Sequence, residues 1–374
     1  MKFIILDHYY DIFLRAFYND KRDIFRDAYD VQLRQLMDQC FGTADFYSEN
    51  LKLLGHEAED IVINCEPLQK QWAKEHGIKV NTHKPKIVIR RRKGVPVPSL
   101  RFNKDWLRLV VLAQIKTTRP DVLYVQDPWS FYNLGLLKEV RPYVKLLVCQ
   151  HASTLPPADY FKGFDLVVSS LPNQIEFFRS QGLKSEYLAI GFEPRVLKIL
   201  GEVKQQYQVV HIGGYKGVHE ARADLLEKVA RACEIQFWGY GIENLPPGSP
   251  IREQFNGEAW ALDMYRTKAA SRITLTFHST ASGVYANNMS LFETTGVGSL
   301  LLTDNKKNLG DLFEIGKEVI AYENADDCIE KIRYYLDHEN ERAAIAANGQ
   351  KRTLKEHTYF HRMQQLLDIL KKYL

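Results

Sequence analysis

Along this chain, short runs of β-branched and other apolar residues alternate with stretches in which apolar positions recur every three to four residues. That alternation is the pattern of parallel strands buried on both faces beneath amphipathic helices. In the first half it predicts strands over 2–6, 60–63, 121–125, 144–149, 165–169 and 186–190. Helices fit between them over 31–40, 44–54, 67–76, 103–117 and 173–181. Gly55 and Gly182 stand where two of these helices need a C-terminal cap. Residues 191–206 carry no strong strand signal and read as a hinge. A second series follows, with strands over 208–212, 234–238, 273–277, 299–303 and 318–322. Its helices fall over 221–233, 261–270, 291–295, 326–336 and 340–354, and an amphipathic tail runs over 359–373. The Pro- and Gly-rich stretch 245–250 is a loop by its turn chemistry. The expected organisation is a Rossmann-like domain over 1–190, the hinge at 191–206, a second Rossmann-like domain over 207–355 and a closing helix over 356–374.

Length fits that division, because 374 residues exceed one ordinary core and suit two domains of this kind. A net charge of only +4 does not require a nucleic-acid partner. The opening apolar run, Phe3-Ile4-Ile5-Leu6, is too short for a signal peptide. No stretch approaches the ~20 apolar residues that a transmembrane helix needs. The five cysteines are odd in number, scattered and never in a C-x-x-C pair, which argues against a disulfide framework and a structural zinc site alike. The expectation is a cytoplasmic protein with reduced thiols. Oligomeric state is not legible from the chain.

Three segments carry candidate chemistry. Gly213-Gly214-Tyr215-Lys216-Gly217-Val218-His219-Glu220-Ala221-Arg222 joins a predicted strand to a predicted helix. Glycines there let backbone approach a diphosphate, helix N–H groups face the anion, and Lys216, His219 and Arg222 add cationic donors. A tight strand-to-helix connection of any kind also uses such glycines. In the second segment, Asn287-Asn288-Met289-Ser290-Leu291-Phe292-Glu293-Thr294-Thr295-Gly296, the paired oxygens of Glu293 match a ribose diol. The spacing Ser290-x-x-Glu293 is also that of a capping box, in which Glu293 merely satisfies the N–H of Ser290. The third is Gln150-His151-Ala152-Ser153, at the carboxyl end of a strand, where open parallel sheets hold their ligands. His151 suits a general base or a donor to sugar hydroxyls, or is simply a hydrogen-bonded histidine.

Two further features are weaker signals. Phe237-Trp238-Gly239-Tyr240-Gly241 ends a strand with aromatics on which a nucleobase would stack, the alternative being a core tryptophan. Arg90-Arg91-Arg92-Lys93 reads as a loop that attracts an anionic acceptor or membrane surface, or as a solvated turn. Metal-ligand spacing is absent, as is an Asp-x-Asp at a strand end to hold a divalent ion. The expected site is therefore metal-independent, with cations and N–H groups neutralising a leaving diphosphate.

The run Asn287–Gly298 followed by Leu300-Leu301-Leu302-Thr303-Asp304 resembles the CgeB-like, spore-maturation-protein-type glycosyltransferases. The likeness continues through Leu312-Phe313-Glu314, Gly316-Lys317-Glu318, Tyr334-Tyr335-Leu336 and Glu356-His357-Thr358-Tyr359 to Arg362-Met363. In the first half Gln150-His151-Ala152 and Ser169-Ser170-Leu171-Pro172 are similar as well. The resemblance implies a GT-B fold, two facing Rossmann-like domains with a C-terminal helix crossing back to the first. It also implies a donor site chiefly in the second domain and an acceptor site chiefly in the first. It favours Glu293 as the ribose ligand, and Gly213, Gly214, His219 and Arg222 as the diphosphate cradle. Similar proteins usually show Arg where this chain has Ser290, so the resemblance puts more of the diphosphate on Lys216 and Arg222.

The implied function is transfer of a sugar from a nucleotide diphosphate, with a UDP-sugar favoured, to a hydroxyl-bearing acceptor. Retention at the anomeric carbon is favoured by analogy. The donor side is expected to comprise Gly213, Gly214, Lys216, His219, Arg222, Trp238, Gly239, Tyr240, Asn288, Ser290, Glu293 and Thr294, with His151 as the catalytic residue. No cofactor is expected beyond the nucleotide sugar as co-substrate. A sugar-nucleotide epimerase on the same fold and a non-catalytic nucleotide-binding protein are the rival readings.

Overall fold

The computed structural model describes residues 1–81, 85–92, 95–102, 105–215 and 223–374, with 85–92 and 95–102 described by their backbone alone. The first lobe contributes β1 (Lys2–Asp7), β2 (Glu57–Val62), β3 (Pro85–Arg92), β4 (Val95–Phe102), β5 (Val122–Val125), β6 (Leu146–Gln150), β7 (Leu166–Ser169) and β8 (Ser185–Tyr187). The second contributes β9 (Tyr207–Gly214), β10 (Gln236–Tyr240), β11 (Ser271–Thr276), β12 (Leu300–Asp304) and β13 (Ile320–Tyr322). Parallel pairing gives one sheet in the order β2-β1-β5-β6-β7-β8 and another in the order β10-β9-β11-β12-β13. The strands are apolar on both faces because both are covered. Phe3 and Ile5 enter one core while Ile4 and Leu6 enter the core on the opposite side.

In each sheet the order reverses once, between β1 and β5 in the first lobe and between β9 and β11 in the second. Connections on either side of such a point leave for opposite faces. A crevice therefore opens at the carboxyl ends of the strands there, and ligands of open α/β sheets bind in it.

Gly55 and Gly182 do cap their helices, at φ +84° and +75°, where a side chain would be strained. Three segments differ from expectation. Arg90, Arg91 and Arg92 lie in β3, paired antiparallel with Val97, Pro96 and Val95 of β4, and not in a loop; Lys93 falls outside the described residues. An isolated two-stranded ribbon has only edges, so it tolerates prolines that would disqualify a central strand. The expected hinge holds a short helix, Arg195–Leu200. A helix that the pattern did not predict, Asp11–Asp20, buries Phe13, Leu14, Phe17 and Tyr18 along one face.

The chain passes between the lobes at two adjacent places. Phe192 pairs with Thr358: its N–H donates to the His357 carbonyl (2.8 Å), and the Tyr359 N–H donates to the Phe192 carbonyl (2.9 Å). Helix Tyr359–Leu370 then lies against helix Phe46–Leu53 of the first lobe, with the Tyr359 ring 5.3 Å from Phe46 and 5.4 Å from Tyr47. One apolar core therefore includes Phe3 and Phe46 of the first lobe, Leu291 and Leu301 of the second, and Leu366 of the last helix.

Candidate functional site

A cavity of about 300 Å³ opens at the switch point of the second sheet, lined by Gly213, Gly214, Gly239, Tyr240, Trp260, Thr276, Phe277 and the segment Asn288–Ser290. Tyr10 of the first lobe reaches its rim. The floor is glycine by necessity. Gly239 sits at φ +136°, and a Cβ there would stand 1.7 Å from the Gly213 carbonyl oxygen. Two strand ends thus meet with bare backbone, which leaves room for a bulky polar group above them.

The walls are aromatic on one side and polar on the other. Tyr240 stacks on Trp260 (5.4 Å between centroids, 18° between planes), and Tyr10 meets both rings edge-on, at 6.4 Å and 5.8 Å. Opposite them begins helix Met289–Gly296. Its cap is Asn288, whose Oδ1 accepts from the Leu291 N–H (2.9 Å) while its Nδ2 donates to the Phe277 carbonyl (3.1 Å). The first turn of that helix, Met289 and Ser290, forms the cavity wall, so the positive end of the helix dipole faces the space. The Thr276 hydroxyl, also in the wall, is buried without a hydrogen-bond partner among the described residues.

The structure thus gathers Gly213, Gly214, Gly239, Tyr240, Asn288 and Ser290 around one space. It does not bring every expected residue there. Trp238 is a core residue, packed with Val210 and Ala259 and edge-on to Tyr207 at 5.1 Å, because it lies inside the strand rather than at its end. Thr294 is fully buried behind the first turn of its helix. Ser290 is not the cap of the helix, which starts one residue earlier, so the capping-box reading fails. Glu293 instead forms an ion pair with Lys268 of the neighbouring helix Ala261–Ala269, and both side chains are almost wholly buried. The Lys268 ammonium also donates to the Ser290 hydroxyl at 3.0 Å. Where the resemblance led us to expect the loss of a cation, an amine from another helix touches the serine. Lys216, His219 and Arg222 lie outside the described residues.

His151 follows β6 and lines a different part of the first lobe, edge-on to Phe161 (5.2 Å) and Phe178 (6.4 Å). Its Nε2 lies 3.3 Å from the Thr154 carbonyl. Burial holds the imidazole below its ordinary pKa, opposed by its contacts with Thr154 and Ser153 and by the Asp127 charge, so the ring favours the neutral form. Among the described residues, no three His, Cys, Asp or Glu side chains converge to hold a metal, and no helix is long and apolar enough to cross a membrane. Sequence reasoning missed Tyr10, Trp260 and Lys268. Trp260 joins the cavity wall through its stack on Tyr240, a contact from a distant part of the chain, and the pairing of Lys268 depends on a helix-to-helix contact that spacing does not encode.

Residues 222–368 match the protein family described as glycosyl transferase-like. No functionally curated protein matches the chain. Among solved structures, Anabaena Alr3699/HepE in complex with UDP-glucose is similar over the whole of both chains, at 14% identity and a TM-score of 0.60. A glycosyltransferase from Rickettsia africae ESF-5 is similar at 10% identity and a TM-score of 0.58, over 100% of this chain and 98% of that one. Sucrose-phosphate synthase from Thermosynechococcus elongatus gives 10% identity and a TM-score of 0.58, over 100% and 99%. At these identities the likeness establishes the fold, which is GT-B. The family match falls on the lobe that carries the cavity, so the chain is similar to glycosyltransferases in that segment and shares the GT-B fold over its whole length.

Proposed function

We propose that the enzyme moves a sugar from a nucleotide-diphosphate donor, with a UDP-sugar favoured, to a hydroxyl-bearing acceptor, without a metal ion and within the CgeB-like group. One observation carries the reading: a glycine-floored cavity that joins an aromatic stack to the N-terminal turn of a helix. Those are the two surfaces a nucleotide needs, one for its base and one for its phosphates. The UDP-glucose held by HepE supports a uridine donor.

In this reading the base lies against Tyr240 and Trp260, and the diphosphate lies over Gly213 and Gly214 toward the first turn at Met289 and Ser290. Lys216, His219 and Arg222 complete the cradle. One carboxylate oxygen of Glu293 is held by Lys268; the side chain lies outside the cavity lining, and the resemblance alone assigns its other oxygen to the ribose diol. As the bond between the anomeric carbon and the diphosphate breaks, the electron pair stays on the diphosphate. Oriented N–H groups already in place stabilise that charge. His151 contacts the reacting sugar or the acceptor from the first lobe. Closure of the lobes excludes water, and retention of configuration is favoured.

Calorimetry with UDP, together with turnover of UDP-glucose in the presence of a panel of sugar acceptors, tests the proposal. Trp260→Ala should weaken UDP binding by about five- to 150-fold, the ~1–3 kcal/mol of one base–aromatic stack. His151→Ala should leave UDP binding intact and lower turnover. Unchanged UDP affinity in the tryptophan variant would remove the base from this wall. Donor conversion without any acceptor would favour the epimerase reading, and binding without consumption would favour a non-catalytic protein.

A further inference from the structure

The first sheet has a switch point of its own, and the donor reading leaves it unused. β1 ends at Asp7 and β5 at Val125, so Asp7 and Gln126 stand side by side at the carboxyl end where the strand order reverses. Thr43 joins them from the loop before helix Phe46–Leu53. Its hydroxyl donates to the Gln126 Oε1 at 2.6 Å and lies 3.4 Å from the Asp7 Oδ2. The His8 N–H donates to the other Asp7 oxygen at 2.7 Å.

Two independent features mark this cluster as more than a packed polar corner. The Gln126 Nε2 is buried with no hydrogen-bond partner among the described residues, a donor left waiting beside a carboxylate. The loop that delivers Thr43 is also strained. Cys40 and Ala44 occupy the left-handed region at φ +56° and +38°, on either side of Gly42 at +58°. Side chains rarely adopt that backbone, and it persists where surrounding structure holds a loop in one functional shape. The same loop carries Phe41, which packs 5.7 Å from Tyr10 and 6.0 Å from Trp260, against the aromatic wall of the donor cavity. The strained loop therefore ties the two switch points together.

We propose that Asp7, Thr43 and Gln126 form a hydroxyl-recognising subsite that seats a sugar acceptor. A carboxylate that accepts and an amide that donates, bridged by a hydroxyl, match the vicinal hydroxyls of a pyranose ring. Burial lifts the Asp7 carboxyl to about 7; the His8 N–H and Thr43 hydroxyl lower it and the Asp127 carboxylate raises it. A hydroxyl donated to Asp7 makes good the hydration that burial removes. This inference rests on the glycosyltransfer reading, and it adds the acceptor class and its contacts.

Saturation-transfer NMR with methyl glycosides of glucose, galactose and mannose, added to UDP-saturated protein, is the test. Asp7→Asn and Thr43→Val should each lose at least tenfold in glycoside affinity while UDP affinity stays within twofold of the parent. Thr43→Ser should recover binding, since it restores the hydroxyl. Glycosides that bind the Asn and Val variants as well as the parent, or that fail to bind the parent at all, would overturn the subsite. If glycosides bind through Asp7 and yet no UDP-glucose is ever consumed, the subsite stands and the transfer reading alone falls.

Discussion

Glu293 and Lys268 each hold a charge almost wholly out of water, and neither would be stable there alone. Glu293→Ala leaves the ammonium buried without compensation and should cost about 3–5 kcal/mol of stability, as should Lys268→Met. The double variant should lose clearly less than the sum, because no orphaned charge remains; additive losses in urea titrations would show that the pair is not coupled. Nucleotide affinities of the single variants must therefore be read beside their stabilities. Asp60 shows the opposite situation, a carboxyl that forms no ion pair among the described residues, with the Lys52 charge only a minor influence on it. Burial pushes it up to about 8, the Ser48 hydroxyl lowers it, and the Asp45 charge raises it. Because the folded state holds that proton more tightly than the unfolded chain, stability falls as pH rises from about 4 to about 8 on account of this group. Asp60→Asn should melt about 2–5 °C above the parent at pH 9, with the gap closing toward pH 4. A constant gap across that range would mean that Asp60 does not titrate as its burial implies.

At the scale of elements, the floor of the glycine-lined cavity was legible and its walls only in part, through Tyr240, Asn288 and Ser290. A strand that runs into Gly213 and Gly214 announces itself in one dimension, because glycine is needed wherever backbone must approach backbone or ligand. Gly239 is the partner that makes this approach possible, and its closeness to Gly213 follows from the pairing of β9 with β10. The aromatic wall was half read. The segment Phe237–Gly241 pointed to a stack, but Trp238 faces the core while Tyr240, just at the strand end, turns to the cavity and finds Trp260, which lies 20 positions along the chain. The basic run at 90–92 concealed a strand for a similar reason. Pairing with β4 sets its conformation, and the charge pattern of the run itself gives no sign of that partner.

The whole molecule was the most legible level, since two alternating series of strands and helices leave few architectures open. What the series did not reveal is how strongly the lobes depend on one another. Helix Tyr359–Leu370 buries Tyr359, Met363, Leu366, Leu367, Ile369 and Leu370. At ~1.5–3 kcal/mol for each buried side chain, an upper bound, their loss rivals the ~5–15 kcal/mol that a domain possesses in total. A chain ending at Glu356 should therefore show no cooperative thermal transition. A truncated protein that melts as the parent does would make the helix an ornament.

The paired crossings at Phe192 and Thr358 also decide what kind of movement is open to the protein. Two ropes lashed side by side behave as the pin of a door: the leaves swing about the line that joins them, while sliding and twisting would tear the lashing. Gly191 keeps the lashing tight, since a Cβ there would press on the Thr358 backbone at 3.0 Å. Rotation about such a pin would change the contact across the lobes where Tyr10 meets Trp260.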